Sequence, residues 1–112
     1  MASGSTILQR RAAQRTARLE EQRLGTRNKL ACALRGLLPG QKLIVFGSLT
    51  RPAQFHERSD VDLALFSEPA RMTIFGLIGE LEERLARPVD VVVLDQCRFR
   101  EKILREGELW TN

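Results

Sequence analysis

The sequence predicts an α+β domain. It is a small mixed sheet of three core strands, the first antiparallel to the second and the second parallel to the third, flanked by helices. Three observations predict it. Short apolar, β-branched runs recur at 42–46, 60–66 and 87–95. A helical stretch at about 70–86 separates the last two. It is the right length for a crossover, which makes the strands it joins parallel.

The elements follow in the order α-α-β-β-α-β-α. Residues 6–24, TILQRRAAQRTARLEEQRL, are Ala, Arg, Leu, Gln and Glu in the main, all good helix formers. Gly25 is expected to interrupt that helix. A second helix at roughly 27–38 places Leu30, Leu34 and Leu37 on one face at i, i+4, i+7. Pro39 and Gly40 stop it. KLIVF (42–46) is the first strand and DVDLALF (60–66) the second. Ser67 is a candidate cap for the next helix, with Pro69 in its first turn. That helix stripes Ile74, Phe75, Ile78, Leu81 and Leu85 along one side. RPVDVVVLD (87–95) breaks at Pro88 and supplies the third strand. A short helix at 98–106 ends at Gly107.

A chain of 112 residues bounds one domain with one modest core. Five Phe, one Trp and no Tyr leave the packing to Leu, Ile, Val and Ala. No run approaches the ~18 apolar residues of a membrane span, and MASGSTILQRR does not read as a secretory signal. Cys32 and Cys97 fit no metal or redox spacing, so both are expected to be small buried apolar residues in a cytoplasmic protein. The +4 net charge is uneven. Residues 1–39 carry eight Lys/Arg against two acidic residues, whereas residues 40–112 carry ten against twelve. The expected division is a basic N-terminal helical extension, 1–25, followed by one folded domain, 26–112. The surplus fits a solvated helix face, a nucleic-acid contact or an acidic protein partner.

The chemistry sits in VFGSLTRPAQFHERSDVDLAL (45–65). Asp60 and Asp62 are i and i+2 on a strand, so they share a face, with Val61, Leu63 and Leu65 opposite. Like charges this close raise each other's proton affinity unless a cation lies between them. Hard carboxylate oxygens suit Mg²⁺. An isolated Asp-x-Asp fits a turn cap or an arginine partner equally well. Asp90 adds a third carboxylate at the head of the parallel strand, at the same sheet edge, while Asp95 lies at the far end. Gly47-Ser48 closes the first strand at that edge, and its backbone N–H groups and hydroxyl suit phosphate oxygens. A phosphate cradle beside three carboxylates is equipment for phosphoryl or nucleotidyl transfer with two metal ions.

GSLTRPAQFHERSDVDL followed by PVDVVVL resembles the Gly-Ser, Asp-x-Asp, Asp signature of the polymerase-β-like nucleotidyltransferase superfamily. The resemblance covers about residues 27–110. The small size resembles the minimal (MNT) members, the MntA-type antitoxins of HEPN/MNT toxin–antitoxin systems. It implies that Gly47 and Ser48 hold the triphosphate of ATP, that Asp60 and Asp62 bind the metals, and that Asp90 binds the metal that activates the acceptor. Arg51 matches the second arginine of the common Gly-Ser-Arg-x-Arg form and would touch phosphate. Leu49 replaces the first arginine, Pro52 stands where Gly is common, and the loop to Asp60 is one residue longer. Its other members carry further domains for their acceptors. The acceptor implied here is a hydroxyl, a tyrosine above all, on a partner HEPN toxin. Three functions stay open: that enzyme, a catalytically silent antitoxin that neutralises by binding, and a transferase acting on a nucleic acid or small molecule. His56 reads as a solvated loop residue or a phosphate contact, and Leu109 and Trp110 as a partner patch or terminal packing. A homo- or hetero-oligomer is compatible with all three.

Overall fold

The computed structural model describes residues 6–112. One long helix, α1 (Ile7–Leu37), precedes β1 (Lys42–Phe46), β2 (Val61–Leu65), α2 (Ile74–Leu85), β3 (Val89–Val93), α3 (Arg100–Glu106) and β4 (Glu108–Thr111). The sheet order is β3-β2-β1-β4. β1 is antiparallel to both β2 and β4, and β2 is parallel to β3. The predicted fold class and all three predicted strands are present.

Each strand sends alternate residues to opposite faces. Leu43, Val45, Val61, Leu63, Leu65, Val89 and Val91 pack under α1 and α2, against Leu30, Leu34, Leu77, Leu81 and Leu85. The other face is smaller. Ile44 and Ala64 meet Leu94 and Ile103 there, under α3. This thinly covered face carries Asp62 and Asp90.

Gly25 does not break the helix. Arg23, Thr26, Leu30, Ala33 and Leu34 form a buried stripe that runs past it. Anchoring on both sides outweighs the roughly 1 kcal/mol that an interior glycine costs. A capping box closes the N-terminus, with Thr6 accepting from Gln9 N–H at 3.0 Å and Gln9 accepting from Thr6 N–H at 2.7 Å. Residues 1–5 of the predicted extension lie outside the described residues.

Four further expectations are corrected. α2 is capped by Thr73, which accepts from Gly76 N–H at 2.9 Å, so Ser67 and Pro69 belong to the preceding loop. Phe75 is exposed, because it lies ~120° around the helix from Leu81, off the Leu77–Leu81–Leu85 stripe. Cys32 is exposed, nearly opposite Leu30 on α1, while Cys97 is partly buried. The chain's end adds a fourth strand instead of stopping at the last helix. In β4, Trp110 pairs with Leu43 and packs against the main core, leaving Leu109 exposed.

A Cβ on Gly25 would meet no atom within 4 Å. Gly25→Ala is therefore expected to raise stability by ~0.5–1 kcal/mol, because alanine loses less backbone entropy in a helix. Urea melts of the two chains check this, and a lower midpoint for the alanine variant would contradict it.

Candidate active site

The register brings the predicted residues to one sheet edge. Phe46, the last residue of β1, pairs with Asp62, and Asp62 lies beside Asp90 on β3. Neighbouring strands are ~4.8 Å apart, so the two carboxylates are mounted side by side on the α3 face. Asp60 precedes β2 and is exposed. Asp62 is half-buried, and its carboxyl is pushed up to about 6. Burial is the main cause, followed by the charges of Asp90 and Asp60. The charges of both other predicted carboxylates thus act on Asp62. Asp95 lies outside this group, exposed in the turn after β3 and 4.0 Å from Arg100.

Gly47 begins a 3-10 turn, Gly47–Thr50, where the antiparallel partner strand ends. Its φ is +78°, a left-handed conformation natural to glycine. A Cβ at this position would collide with the Asp62 carboxylate. Glycine is thus favoured by its backbone angle, and an added Cβ would displace the Asp62 carboxylate from beside the turn. Leu49, where the resemblance has an arginine, is wholly buried in the main core.

The loop before Asp60 is braced. Arg87 donates to the carbonyls of Glu57 at 3.1 Å and Ser59 at 3.2 Å, and its guanidinium stacks 4.6 Å from the Phe55 ring centre. Ser59, itself buried, accepts from His56 N–H at 2.8 Å. His56 is exposed, and its Nδ1 accepts from Arg58 N–H.

Gly47, Arg51 and Asp90 line a cleft of about 740 Å³ that runs along β3 to α3. Its far wall holds Gln96, Arg98, Phe99 and Lys102, none of which sequence reasoning singled out. The basic, aromatic string CRFREK directly after the third strand was the available signal. Arg51 lies on this cleft but spends Nη2 on Glu106, at 2.9 Å.

Among the described residues, no group of three or more His, Cys, Asp or Glu side chains closes as a cation cage. The donor set nevertheless fits a hard divalent cation. Mg²⁺ uses one or two carboxylates with substrate phosphates and waters more often than an all-protein cage. The Asp62 carboxyl, raised first by burial and then by the charges of Asp90 and Asp60, is a group whose ionised form a cation would favour.

The polymerase beta nucleotidyltransferase model matches residues 34–111. The chain belongs to this family. No curated protein sequence matches it. Among solved structures, a toxin–antitoxin with AMP-PNP is similar at 26% identity and a TM-score of 0.59, covering 76% of this chain and 73% of that one. The MntA–HepT toxin–antitoxin structure is similar at 23% identity and a TM-score of 0.52, over 78% of this chain and 71% of that one. At that identity the second likeness speaks for the fold alone.

Two outcomes follow from the geometry. Charged Asp62 is disfavoured in the folded state, so the folded chain holds a proton that the unfolded chain has released between pH 3.8 and about 6. The contribution of Asp62 to stability should therefore fall as pH rises through that window, against the opposite trend of Glu20 and Glu108, whose carboxyls lie below their ordinary range. Asp62→Asn should flatten the fall and stabilise the metal-free protein by ~1 kcal/mol at pH 7, a figure reduced for solvent screening of a half-exposed group. Thermal melts from pH 4 to 7 with chelator measure both effects. Gly47→Ala should lose at least ~1 kcal/mol from left-handed strain alone, with more from the collision. An unchanged urea midpoint would contradict the φ and the close approach.

Proposed function

We propose that the chain is a Mg²⁺-dependent nucleotidyltransferase acting as an antitoxin, which transfers AMP from ATP to a hydroxyl, a tyrosine, of a partner HEPN toxin. The observation that carries this reading is Asp62. It is half-buried, opposed by Asp90 and Asp60, and set against a glycine turn on the wall of an open cleft. Membership of the family supports transfer chemistry. Similarity to a toxin–antitoxin with AMP-PNP supports both an adenine nucleotide and a toxin partner.

In this reading the Gly47–Ser48 backbone binds the triphosphate, and Asp60 and Asp62 hold the cation that accompanies it. Two Mg²⁺ ions, held by Asp60, Asp62 and Asp90, would neutralise charge on the phosphates and make the acceptor hydroxyl more acidic. The acceptor oxygen attacks the α-phosphorus. A new P–O bond forms as the bond to the β-phosphate oxygen breaks, pyrophosphate leaves, and the hydroxyl proton passes to water at the Asp90 edge. Arg51 must exchange Glu106 for phosphate to take part, which its half-exposed ion pair allows. The rigid strands contribute by holding Asp62 and Asp90 in fixed register, with Asp60 on the braced loop just before β2, so little reorganisation accompanies the reaction.

The test is incubation with α-labelled ATP, Mg²⁺ and the co-expressed partner protein. Label is expected on the partner and should survive its denaturation. Asp60→Asn, Asp62→Asn and Asp90→Ala should each cut transfer at least ~100-fold, because the chemistry depends on their charges. Asp95→Ala should transfer normally. Neutralisation of the toxin with no label on it would leave the silent-antitoxin reading standing. Activity near wild type in Asp62→Asn would remove the carboxylates from the mechanism.

A further inference from the structure

The buried side of α1 includes a charged residue. Arg23 is only 9% exposed. Its Nη1 donates to the Leu49 carbonyl at 2.8 Å. Its other nitrogens fork onto Glu20, Nε at 2.9 Å and Nη2 at 2.7 Å. Arg27, one turn on, reaches the same carbonyl at 3.5 Å and is held by Glu108 at 2.8 Å.

Leu49 belongs to the 3-10 turn Gly47–Thr50. Other acceptors in that turn are satisfied locally. The Gly47 carbonyl accepts from Thr50 Oγ1 at 2.8 Å, and the Ser48 carbonyl accepts from Arg51 N–H at 3.0 Å. The Leu49 carbonyl faces α1, and its partners there are the two arginines. A buried carbonyl without a partner keeps its full desolvation penalty, so the turn is held in place from outside itself. A guanidinium suits this task because its planar fork can bind a carboxylate on one side and a carbonyl on the other. Glu20 fixes that fork from the solvent side.

We propose that Arg23 is a positioning residue for the Gly47–Ser48 cradle: it pins the turn that presents these backbone N–H groups to the nucleotide phosphates. The role rests on the nucleotide reading above. It also makes α1, well before the family match begins at residue 34, a working part of the site.

The test uses the full chain and two measurements. Amide hydrogen exchange at residues 47–51, without nucleotide, reports the turn itself. Titration with Mg²⁺ and AMP-PNP reports the cradle. Arg23→Met keeps the apolar stem and removes the donors. It is expected to speed exchange at 47–51 about tenfold and to weaken AMP-PNP about tenfold. Arg23→Lys restores one donor and should recover most of both losses. Arg15→Met, on an exposed part of the same helix, should change neither. If Arg23→Met folds poorly, Glu20→Ala, which keeps the arginine but frees its fork, should move both readings in the same direction by a smaller amount. Unchanged exchange at 47–51 in a folded Arg23 variant overturns the proposal. So does faster exchange with undiminished AMP-PNP affinity. If the unaltered chain does not bind AMP-PNP at all, it is the nucleotide reading that falls, while the exchange result still decides whether Arg23 holds the turn.

Discussion

Three carboxylates placed within range of one another want to separate, and the fold has to hold them together. Asp62 bears the conflict most directly. It sits at the head of β2, beside Asp90 in register and near Asp60, with part of its hydration removed. The side chains opposing the repulsion are on the other face of the same strands. Val61, Leu63, Val89 and Val91 alternate with the aspartates and are buried under α1 and α2. Displacing a carboxylate means displacing a strand whose alternate residues are locked into the core. Burying such side chains is worth ~1.5–3 kcal/mol each, several times the repulsion between partly solvated charges. The two faces of the sheet therefore divide the work, one anchoring the strands and the other carrying the candidate site.

The loops that complete the edge have no such core. Their carbonyls are satisfied by arginines from elsewhere. Arg23 and Arg27 reach the turn after β1, and Arg87 reaches the loop before Asp60. Arg27 also lies 5.3 Å over the Trp110 ring and pairs with Glu108, which ties the last strand to the first helix. Burial alone would raise the Glu108 carboxyl, but hydrogen bonds from Arg27 and Trp110 outweigh it and hold the group below the usual range. Two of the eight cations in the first 39 residues, Arg23 and Arg27, thus hold the fold together, and the exposed remainder is what is left for a partner.

The strands were legible because they are short apolar runs, β-branched in part, bounded by turn residues. Asp60, Asp62 and Asp90 stood out as charges where alternation demanded a reason, and parallel pairing placed Asp62 and Asp90 together before any coordinates. What was not legible depended on distant partners. Gly25 reads as a break unless one knows that Arg23 and Thr26 before Leu30 are buried too. Arg23 looks like one more cation in an arginine-rich helix, since nothing local marks the Leu49 carbonyl as its target. ELWT is four residues long, too short for periodicity, and becomes a strand only because β1 offers it a free edge. The far wall of the cleft, Gln96 to Lys102, was missed because its residues acquire meaning from facing Gly47 and Asp90 across open space.

The continuity of α1 changes how its first half should be regarded. Residues 6–18 are exposed throughout; Arg18 reaches Glu57 at 3.7 Å, while Arg10, Arg11 and Arg15 precede any acidic residue in the sequence. Isolated helices of this length are marginal in water because nucleation is costly. Here the nucleus already exists. The turns from Arg23 to Leu34 are fixed by the core, so each further turn toward the N-terminus only propagates, and the Thr6–Gln9 capping box satisfies the donors at the end. Helix formation in the exposed half is then governed by alanine, arginine and glutamine propensity without the nucleation penalty. A surface that met this arm would find its cations already arrayed on a helix and would not bear the cost of ordering them. The buried arginine that holds the turn at the candidate site is therefore also among the contacts that keep the exposed half of the helix ordered.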